Sequence, residues 1–555
     1  MVQSPTASDG IGDDVVVPPP PSNKSNLSSS FVGAHTLLVH DALKDVEVTT
    51  ATQPRLTSQA RSALQFVEAD VLPKPPLLAA LTESYFQNVF HRYPVADRAH
   101  LADPECPTLL KQAVCMAGSL MRPSSSTGGL ALSQSLYEKT KMMLFFNHEQ
   151  DPVTSLAALC LLICWSGNPS NSSSLDCPWQ WTGTAIRLAV QMGLHKEVTY
   201  TNRPDAGRLR RLWWTLMNAD RLQAACFGRP LGLRRSDYDT RMPSAADFDR
   251  ADISSLVFVH YAGVIAVWGE IADVGARGFP TTGAVIEGLT DMLCNWVAEL
   301  PEEICLFDQT GSRRPYRQSI SELHMVYSVA IILVEALSIK RHEQWSTSLP
   351  AIIAAAFVTR LIEEVDCWDE LNLMSSTTTF YAMAASIPLI YHRTSNPERR
   401  AKRQEGLLTL CSALERMSPR WGAASVLLGT IRRIRNLVEQ QAAHQPQQQQ
   451  QQQQPQEQEQ QQEHQDSSDP AETTQSGFTP PRAYRHREMF PFPPDICPDM
   501  ALLHPSIDDV LDVGDMMLPL GDEHLLWSYG ESQTYLDHFR LNMFGDGPSL
   551  MDEAF

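Results

Sequence analysis

The sequence lacks the short motifs by which many enzymes are recognised. Its 555 residues contain no H-E-x-x-H, G-x-S-x-G, G-x-G-x-x-G or G-x4-G-K-[ST] segment. Metalloprotease, hydrolase, dinucleotide and phosphate-loop chemistry are therefore unsupported. No C-x2-C pair occurs either, and a tetrahedral zinc site needs four converging ligands. We predict no catalytic residue, no cofactor and no metal in this chain.

Cysteines, signal-peptide features and long apolar runs are also scarce. Eleven cysteines, an odd number, lie between Cys106 and Cys497 without regular spacing, which excludes a secreted disulfide scaffold and predicts reduced, mostly buried thiols. The first twenty residues contain no Lys or Arg, so a signal peptide is not predicted. The longest apolar stretches, such as 326–339, fall short of the roughly 18 residues that cross a bilayer, and that one contains Glu335. We predict no membrane partner.

Positive charge is in short supply only toward the C-terminus. The formal net charge is −20, and residues 495–555 hold 13 acidic side chains against Arg540 alone. Residues 61–440 hold 37 basic and 38 acidic side chains, so they are close to neutral. The acidity therefore belongs to a tail rather than to a folded surface. This charge balance gives the chain no general attraction for a polyanionic substrate.

What the sequence does contain is a long helical pattern. From 61 to 438, apolar residues recur at spacings of three and four, with Pro and Gly between the runs. Strand-like alternation is scarce. We predict an all-α fold, an irregular multi-helix bundle. Its clearest segments are 78–89, 136–146, 153–166, 178–192, 208–226, 254–275, 284–299, 319–341, 350–367, 376–392, 405–416 and 424–438.

Low-complexity segments flank this region and set the domain boundaries. Residues 1–60, with a run of four prolines and many polar residues, predict a disordered N-terminal segment. The helical domain is assigned to 61–438. Residues 439–480 are dominated by Gln and predict a linker, and 481–555 form an acidic and aromatic tail.

The tail interleaves carboxylates with bulky apolar residues, a pattern typical of amphipathic activation segments. The residues expected to contact coactivator machinery are Leu525, Leu526, Trp527, Tyr529, Tyr535, Phe539 and Phe544. A partner with an apolar groove and a basic rim would capture them by coupled folding. The alternative is a tail that docks on the domain or forms a terminal helix.

Two further patterns are weaker evidence, and both concern catalytic chemistry. Asp508, Asp509 and Asp512 match a DDxxD metal motif resembling that of terpene cyclases, but they lie in the acidic tail, where such a match arises by chance. A helical enzyme of isoprenoid type is therefore a less favoured alternative, and it would require paired carboxylates facing one cavity. His195 follows Gly193 at a predicted helix end, where an imidazole caps carbonyl groups more often than it catalyses.

One basic cluster suggests nuclear import. Arg399, Arg400, Lys402 and Arg403 lie in the segment NPERRAKRQEG, which predicts an exposed loop that an import receptor could reach. The alternative is a solvated helix end.

The segment 208–243, RLRRLWWTLMNADRLQAACFGRPLGLRRSDYDTRMP, carries a family resemblance. It resembles the fungal-specific transcription factor domain, the middle homology region of zinc-cluster regulators, and is closest to the cutinase transcription factor branch. The matching residues are Arg210, Arg211, Trp213, Trp214, Asp220, Arg221, Gly228, Arg229, Pro230, Asp237 and Asp239. Segments at 85–95, 136–167 and 179–197 are similar to earlier helices of the family.

These residues also make physical sense as structural elements. Trp213 and Trp214 are about 100° apart on a helix, so both are buried only if that helix is central. We expect a carboxylate to pair with Arg221 or Arg229 and so to fix the turn at 228–230. The motif is interpreted as structural, with ligand sensing as the alternative.

The resemblance implies a nuclear regulator of RNA polymerase II transcription, pathway-specific, for lipid or secondary-metabolite genes. It also implies a small-molecule effector and a homodimer or heterodimer. The family's six-cysteine zinc cluster is missing, since no cysteine precedes Cys106. DNA would be contacted through a module missing from this sequence or through a partner protein. A non-DNA-binding adaptor or co-regulator is the alternative.

Overall fold

The computed structural model describes residues 56–122, 129–166, 174–277, 282–338, 348–392, 394, 396–456 and 482–503. Within these ranges the chain forms sixteen α-helices and several short 3-10 turns. The same ranges contain no β-strand, only an isolated antiparallel bridge between Phe307 and Arg313. The predicted all-α fold is confirmed.

The first nine helices lead from the N-terminal side of the bundle into its centre. They are α1 (Ser58–Phe66), α2 (Pro75–Asn88), α3 (Arg98–Ala102), α4 (Thr108–Leu120), α5 (Gly129–Phe145), α6 (Pro152–Leu162), α7 (Pro178–Gln191), α8 (Ala206–Phe227) and α9 (Ile253–Ala276). Helix α4 packs on α2, α5 and α6, and α8 packs on α7 and α9. Neighbours in sequence are therefore mostly neighbours in space.

The remaining helices extend this arrangement. They are α10 (Gly283–Ala298), α11 (Gln318–Ser338), α12 (Leu349–Cys367), α13 (Thr377–Tyr391), α14 (Pro397–Met417), α15 (Gly422–Gln456) and α16 (Arg482–Met489). Helix α11 contacts α9, α10, α12 and α13, so it lies at the centre of this half. Helix α15 continues into the Gln-rich segment as far as Gln456.

Several helix ends follow local sequence rules. Asp151, Asp252 and Ser348 accept hydrogen bonds from the first-turn amides of α6, α9 and α12. Gly193 has a φ of 76° and follows α7, and its N–H donates to Val190 O at 2.9 Å. The C-terminal glycine predicted for this helix is therefore confirmed.

Helix α4 is absent from the sequence prediction because it has no polar face. Every residue from 109 to 120 except Lys111 is buried, including Gln112 and Gly118. A helix buried all round shows no amphipathic period. Gly118 allows a close crossing, since a Cβ there would lie 2.0 Å from Leu81 O in α2.

Two helices, α9 and α11, are long and apolar enough to cross a membrane by length and composition alone. Counting only uninterrupted apolar runs underestimates them, because both are interrupted by single polar residues. In their most apolar windows, 61% of α9 and 83% of α11 is buried inside the bundle. Such burial is what core helices of a packed domain show.

The chain returns to the bundle after the Gln-rich segment. Residues 489–503, which we call the C-terminal strap, lie against α10, α11, α12 and α14. Its buried side chains are Met489, Phe490, Ile496, Cys497, Met500 and Leu503. The strap falls within the segment assigned to the tail, so this part follows the docking alternative. The tail residues from 504 onward lie outside the described residues.

Candidate functional site

Helix α8 carries most of the family motif and is central, as the two adjacent tryptophans predict. Trp213 is fully buried and Trp214 is 2% exposed. The Trp214 indole N–H donates to Arg241 O at 2.7 Å. Both rings contact Tyr238 edge-on, with centroids 5.7 and 6.1 Å away. The tryptophans therefore fix the loop after α8 against the helix.

Arg210 joins α8 to the loops on either side of it. Its guanidinium forms a bidentate ion pair with Glu197, at 2.9 and 3.0 Å, and reaches Asp247 at 3.3 Å. The same group lies 4.1 Å from the Tyr200 ring centroid. Paired hydrogen bonds with a fixed geometry of this kind give orientation as well as energy.

Arg211 points the other way and is 1% exposed. Its Nε donates to Pro94 O at 2.9 Å, and its terminal nitrogens reach Asp97 and the carbonyl of Asp247, each at 2.5 Å. Three donors of one planar guanidinium thus hold the segment after α2 and the loop after α8. Lysine could not reproduce this geometry.

Asp220 fixes the turn after α8, but not in the way that the sequence suggested. The Asp220 carboxylate is not the expected partner of Arg221 or Arg229, because it accepts the backbone N–H of Gly232 at 2.9 and 3.1 Å. Burial raises the pKa of Asp220 to about 6, against the opposing effect of the Gly232 and Leu233 amides.

The neighbouring motif residues build the turn itself. Gly228 ends α8 with a φ of 62°, a left-handed conformation that favours glycine. Exposed Pro230 follows in the turn. Arg221 donates to the Tyr238 hydroxyl and lies 5.3 Å from the Trp214 ring, and Arg229 lies 5.2 Å from the Trp179 ring.

The two aspartates at the end of the motif close the loop. Asp237 accepts the N–H of Arg234 at 2.8 Å. Asp239 accepts the N–H of Glu197 at 2.7 Å, and its own N–H donates to His195 O at 3.1 Å. The structural interpretation of the motif therefore has a physical basis at each of these positions.

The proposed import cluster is not a loop, which corrects the prediction. Arg399, Arg400, Lys402 and Arg403 lie in the first turns of α14. Arg399 is 8% exposed, and its Nε is 3.5 Å from Asp499 of the strap. Arg400 and Lys402 are exposed. Asn396 caps the helix and Pro397 starts it, a helix-start signal that the sequence already contained.

A buried charged cluster escaped the sequence analysis. Glu322 of α11 accepts from Ser375 at 3.1 Å and lies 3.3 Å from His91 and 3.2 Å from Arg92. Burial opposes ionisation of Glu322, but the Arg92 cation and the His91 hydrogen bond outweigh it and hold its pKa below the usual value. Glu322 lies 53 positions from Ser375 and 231 positions from His91 in the sequence, so no local signal joins them.

A cavity of about 110 Å³ adjoins this cluster beside α8. Its walls come from the segment after α2, from α8, from the start of α13 and from the start of α15, among others. Among the residues that the structure describes, no Asp or Glu lines it. The paired inward carboxylates that an isoprenoid-type enzyme would require are absent from this lining. The described ranges also contain no group of three potential metal ligands.

Comparison with known proteins finds a family to which part of this chain is similar. Residues 82–259 match the fungal specific transcription factor domain. Over 437 residues the chain is 25% identical to cutinase transcription factor 1 alpha of Fusarium vanettenii, covering 70% of this chain and 47% of that protein. It is 24% identical over 386 residues to the acetamidase regulatory protein of Aspergillus fumigatus, covering 65% of this chain and 49% of that protein.

The chain thus spans about half the length of these curated relatives. The resemblance based on the α8 motif is confirmed, and the matched range runs from α2 into α9. The family and these relatives are regulators of transcription, not enzymes.

Proposed function

From the fungal specific transcription factor domain at residues 82–259, we propose that this chain is a nuclear regulator of RNA polymerase II transcription. The helical domain controls the acidic tail that follows the strap. The observation that carries the proposal is the family match, whose motif residues hold α8 at the centre of the bundle. The names of the relatives, a cutinase transcription factor and an acetamidase regulatory protein, support a pathway-specific role. We propose lipid or secondary-metabolite genes as the targets.

The strap suggests how the domain could control the tail. Phe492 stacks on Phe357 of α12 at 4.4 Å, and Tyr327 of α11 donates to Met489 O at 2.9 Å. Arg360 donates to Ile496 O at 3.3 Å. The rest of the tail continues directly from the strap at residue 504, so its starting point is tied to these helices. We propose that an effector shifts the population between docked and released straps.

DNA contact is proposed to come from a zinc cluster outside this sequence or from a DNA-bound partner. The spacing of the cysteines supports this, because none precedes Cys106 and all eleven are free. The adaptor alternative rests on the same observation. Reading the genomic sequence upstream of Met1 for six cysteines distinguishes the two.

A tethered reporter tests the activation tail. Fused to a heterologous DNA-binding domain, residues 504–555 should activate transcription, and the chain that ends at 503 should not. Replacing Trp527, Tyr529 and Phe539 together by Ala should lower the output several-fold, because the apolar groups that a coactivator groove captures are lost. Equal output with and without the tail would remove it from the mechanism.

The strap is tested separately with Phe492→Ala in the full-length fusion. Loss of the stack on Phe357 should weaken docking by about 2 kcal/mol, roughly thirtyfold in the docking equilibrium. We expect faster proteolysis within 482–503 and higher reporter output. Phe66→Ala, at an aromatic residue that is 89% exposed, is the control. Faster proteolytic cleavage without any change in reporter output would show that docking of the strap does not control the tail.

A further inference from the structure

One continuous face of α8 lines the cavity beside it. Thr215, Asn218, Leu222, Gln223 and Cys226 line it at spacings of three, four, one and three residues. This face combines two amides with apolar and small side chains. Phe380 of α13 and Trp421, the residue before α15, add apolar walls. A cavity with a few polar groups in apolar walls is typical of small-molecule sites.

Three of the lining residues have polar atoms without a partner. Within the described part of the chain, Arg92 Nε and Nη2, both polar atoms of the Asn218 amide, and Gln223 Oε1 make no hydrogen bond. Arg92, Asn218 and Gln223 are at most 6% exposed. Buried polar atoms are nearly always paired, so an unpaired set around a cavity points to a missing group.

The orientation of Gln223 follows from its neighbour. Thr182 donates its hydroxyl hydrogen to Pro178 O at 2.8 Å, so its oxygen must accept the 2.9 Å bond from Gln223. The Gln223 amide nitrogen is therefore used, and its oxygen is left as an acceptor. The unpaired set thus contains two donors on one edge of Arg92, one full amide and one further acceptor.

The charge balance decides the ligand class. Arg92 is already paired with Glu322 at 3.2 Å, so the site carries no excess positive charge for an anion. A carboxylate would also bring no donor for the Gln223 and Asn218 oxygens. A primary carboxamide offers an oxygen to Arg92 and an N–H to each acceptor. A cavity of about 150 Å³ holds benzene, which has six non-hydrogen atoms, so this cavity of about 110 Å³ limits the ligand to about five.

We propose that the cavity beside α8 binds a small neutral primary carboxamide, with the ligand's amide hydrogen-bonded to Arg92, Asn218 and Gln223. Only the role of this ligand as the effector rests on the proposed regulatory function. Binding itself can be measured without any reporter.

The test is calorimetric titration of the full chain with propionamide and, separately, with propionate, which has nearly the same size and shape. Propionamide should bind at millimolar concentration or below, and propionate at least tenfold more weakly. Asn218→Leu and Gln223→Met should each weaken propionamide binding at least tenfold. Gln112→Met is the matched control, because Gln112 is a buried glutamine with an unpaired amide that does not line the cavity.

A second variant covers the case in which the amide substitutions unfold the protein. Ala219→Leu keeps every polar group and fills part of the cavity, so it should abolish binding while cooperative unfolding persists. Equal binding of propionate and propionamide, no propionamide binding at 50 mM, or full binding by Ala219→Leu would each overturn the proposal. If propionamide does not bind but the tail activates the reporter, the carboxamide proposal fails while the proposed function as a regulator is supported.

Discussion

Asp220 gives the sharpest test of how the turn after α8 is held. Its carboxyl group is 6% exposed and accepts the backbone N–H of Gly232. Burial raises its pKa to about 6 from the ordinary value of 3.8. The folded state therefore binds a proton more tightly than the unfolded state between these two values.

The sign and size of the effect follow from this difference. A raised folded-state pKa contributes stability that is fully present below about pH 4 and is lost as the pH rises through about 6. A difference of about two pKa units corresponds to roughly 3 kcal/mol. At pH 7 the buried charge of Asp220 thus costs the native state about that amount. Asp220→Asn keeps an acceptor for the Gly232 N–H and removes the titration.

The assay is urea unfolding of the native chain and of Asp220→Asn from pH 4 to pH 8. The variant should gain about 3 kcal/mol relative to the native chain across this interval, because other titrating groups cancel in the difference. Met217→Leu, an uncharged change on the same helix, should give a constant offset. Parallel stability curves for the native chain and Asp220→Asn would show that the carboxyl does not titrate as its buried position implies.

Two further predictions concern packing around α4 and α8. Gly118→Ala should destabilise the fold by about 3 kcal/mol in urea unfolding, because its Cβ would lie 2.0 Å from Leu81 O. Gly288→Ala, in α10 with nothing within 4 Å of an added Cβ, should be neutral or stabilising by about 0.5–1 kcal/mol. Arg211→Lys should cost about 3 kcal/mol by thermal unfolding, because lysine cannot reach Pro94, Asp97 and Asp247 together. An unchanged melting temperature for Arg211→Lys would show that the guanidinium fork is dispensable.

The helices after residue 150 were predictable because their signals are local. Ten helices from α6 to α15 lie where three- and four-residue apolar spacing, with Pro, Gly and Asn at the ends, places them. Helix α4 was not predictable in this way, since it is buried on every side and has no polar face to set a period. A helix without contrast between its faces leaves only composition as a signal.

In the family motif, the burial of a residue could be predicted from the sequence, but its interaction partner could not. The adjacent Trp213 and Trp214 imply a central helix, and the structure confirms it. The partner of Asp220 could not be read from the sequence, because it is a backbone amide whose position depends on the path of the loop. Arg399 was expected in an exposed loop, yet Asp499, one hundred residues later, covers it.

By itself, the sequence determined the helical class, the acidic tail and the family, because periodicity, composition and a contiguous motif are properties of neighbouring residues. Only the tertiary structure decided the buried Glu322 cluster, the docked strap and the cavity beside α8. Each of these joins segments separated by tens to hundreds of residues. Their contacts depend on how whole helices pack, and packing over such distances leaves no mark in a local pattern.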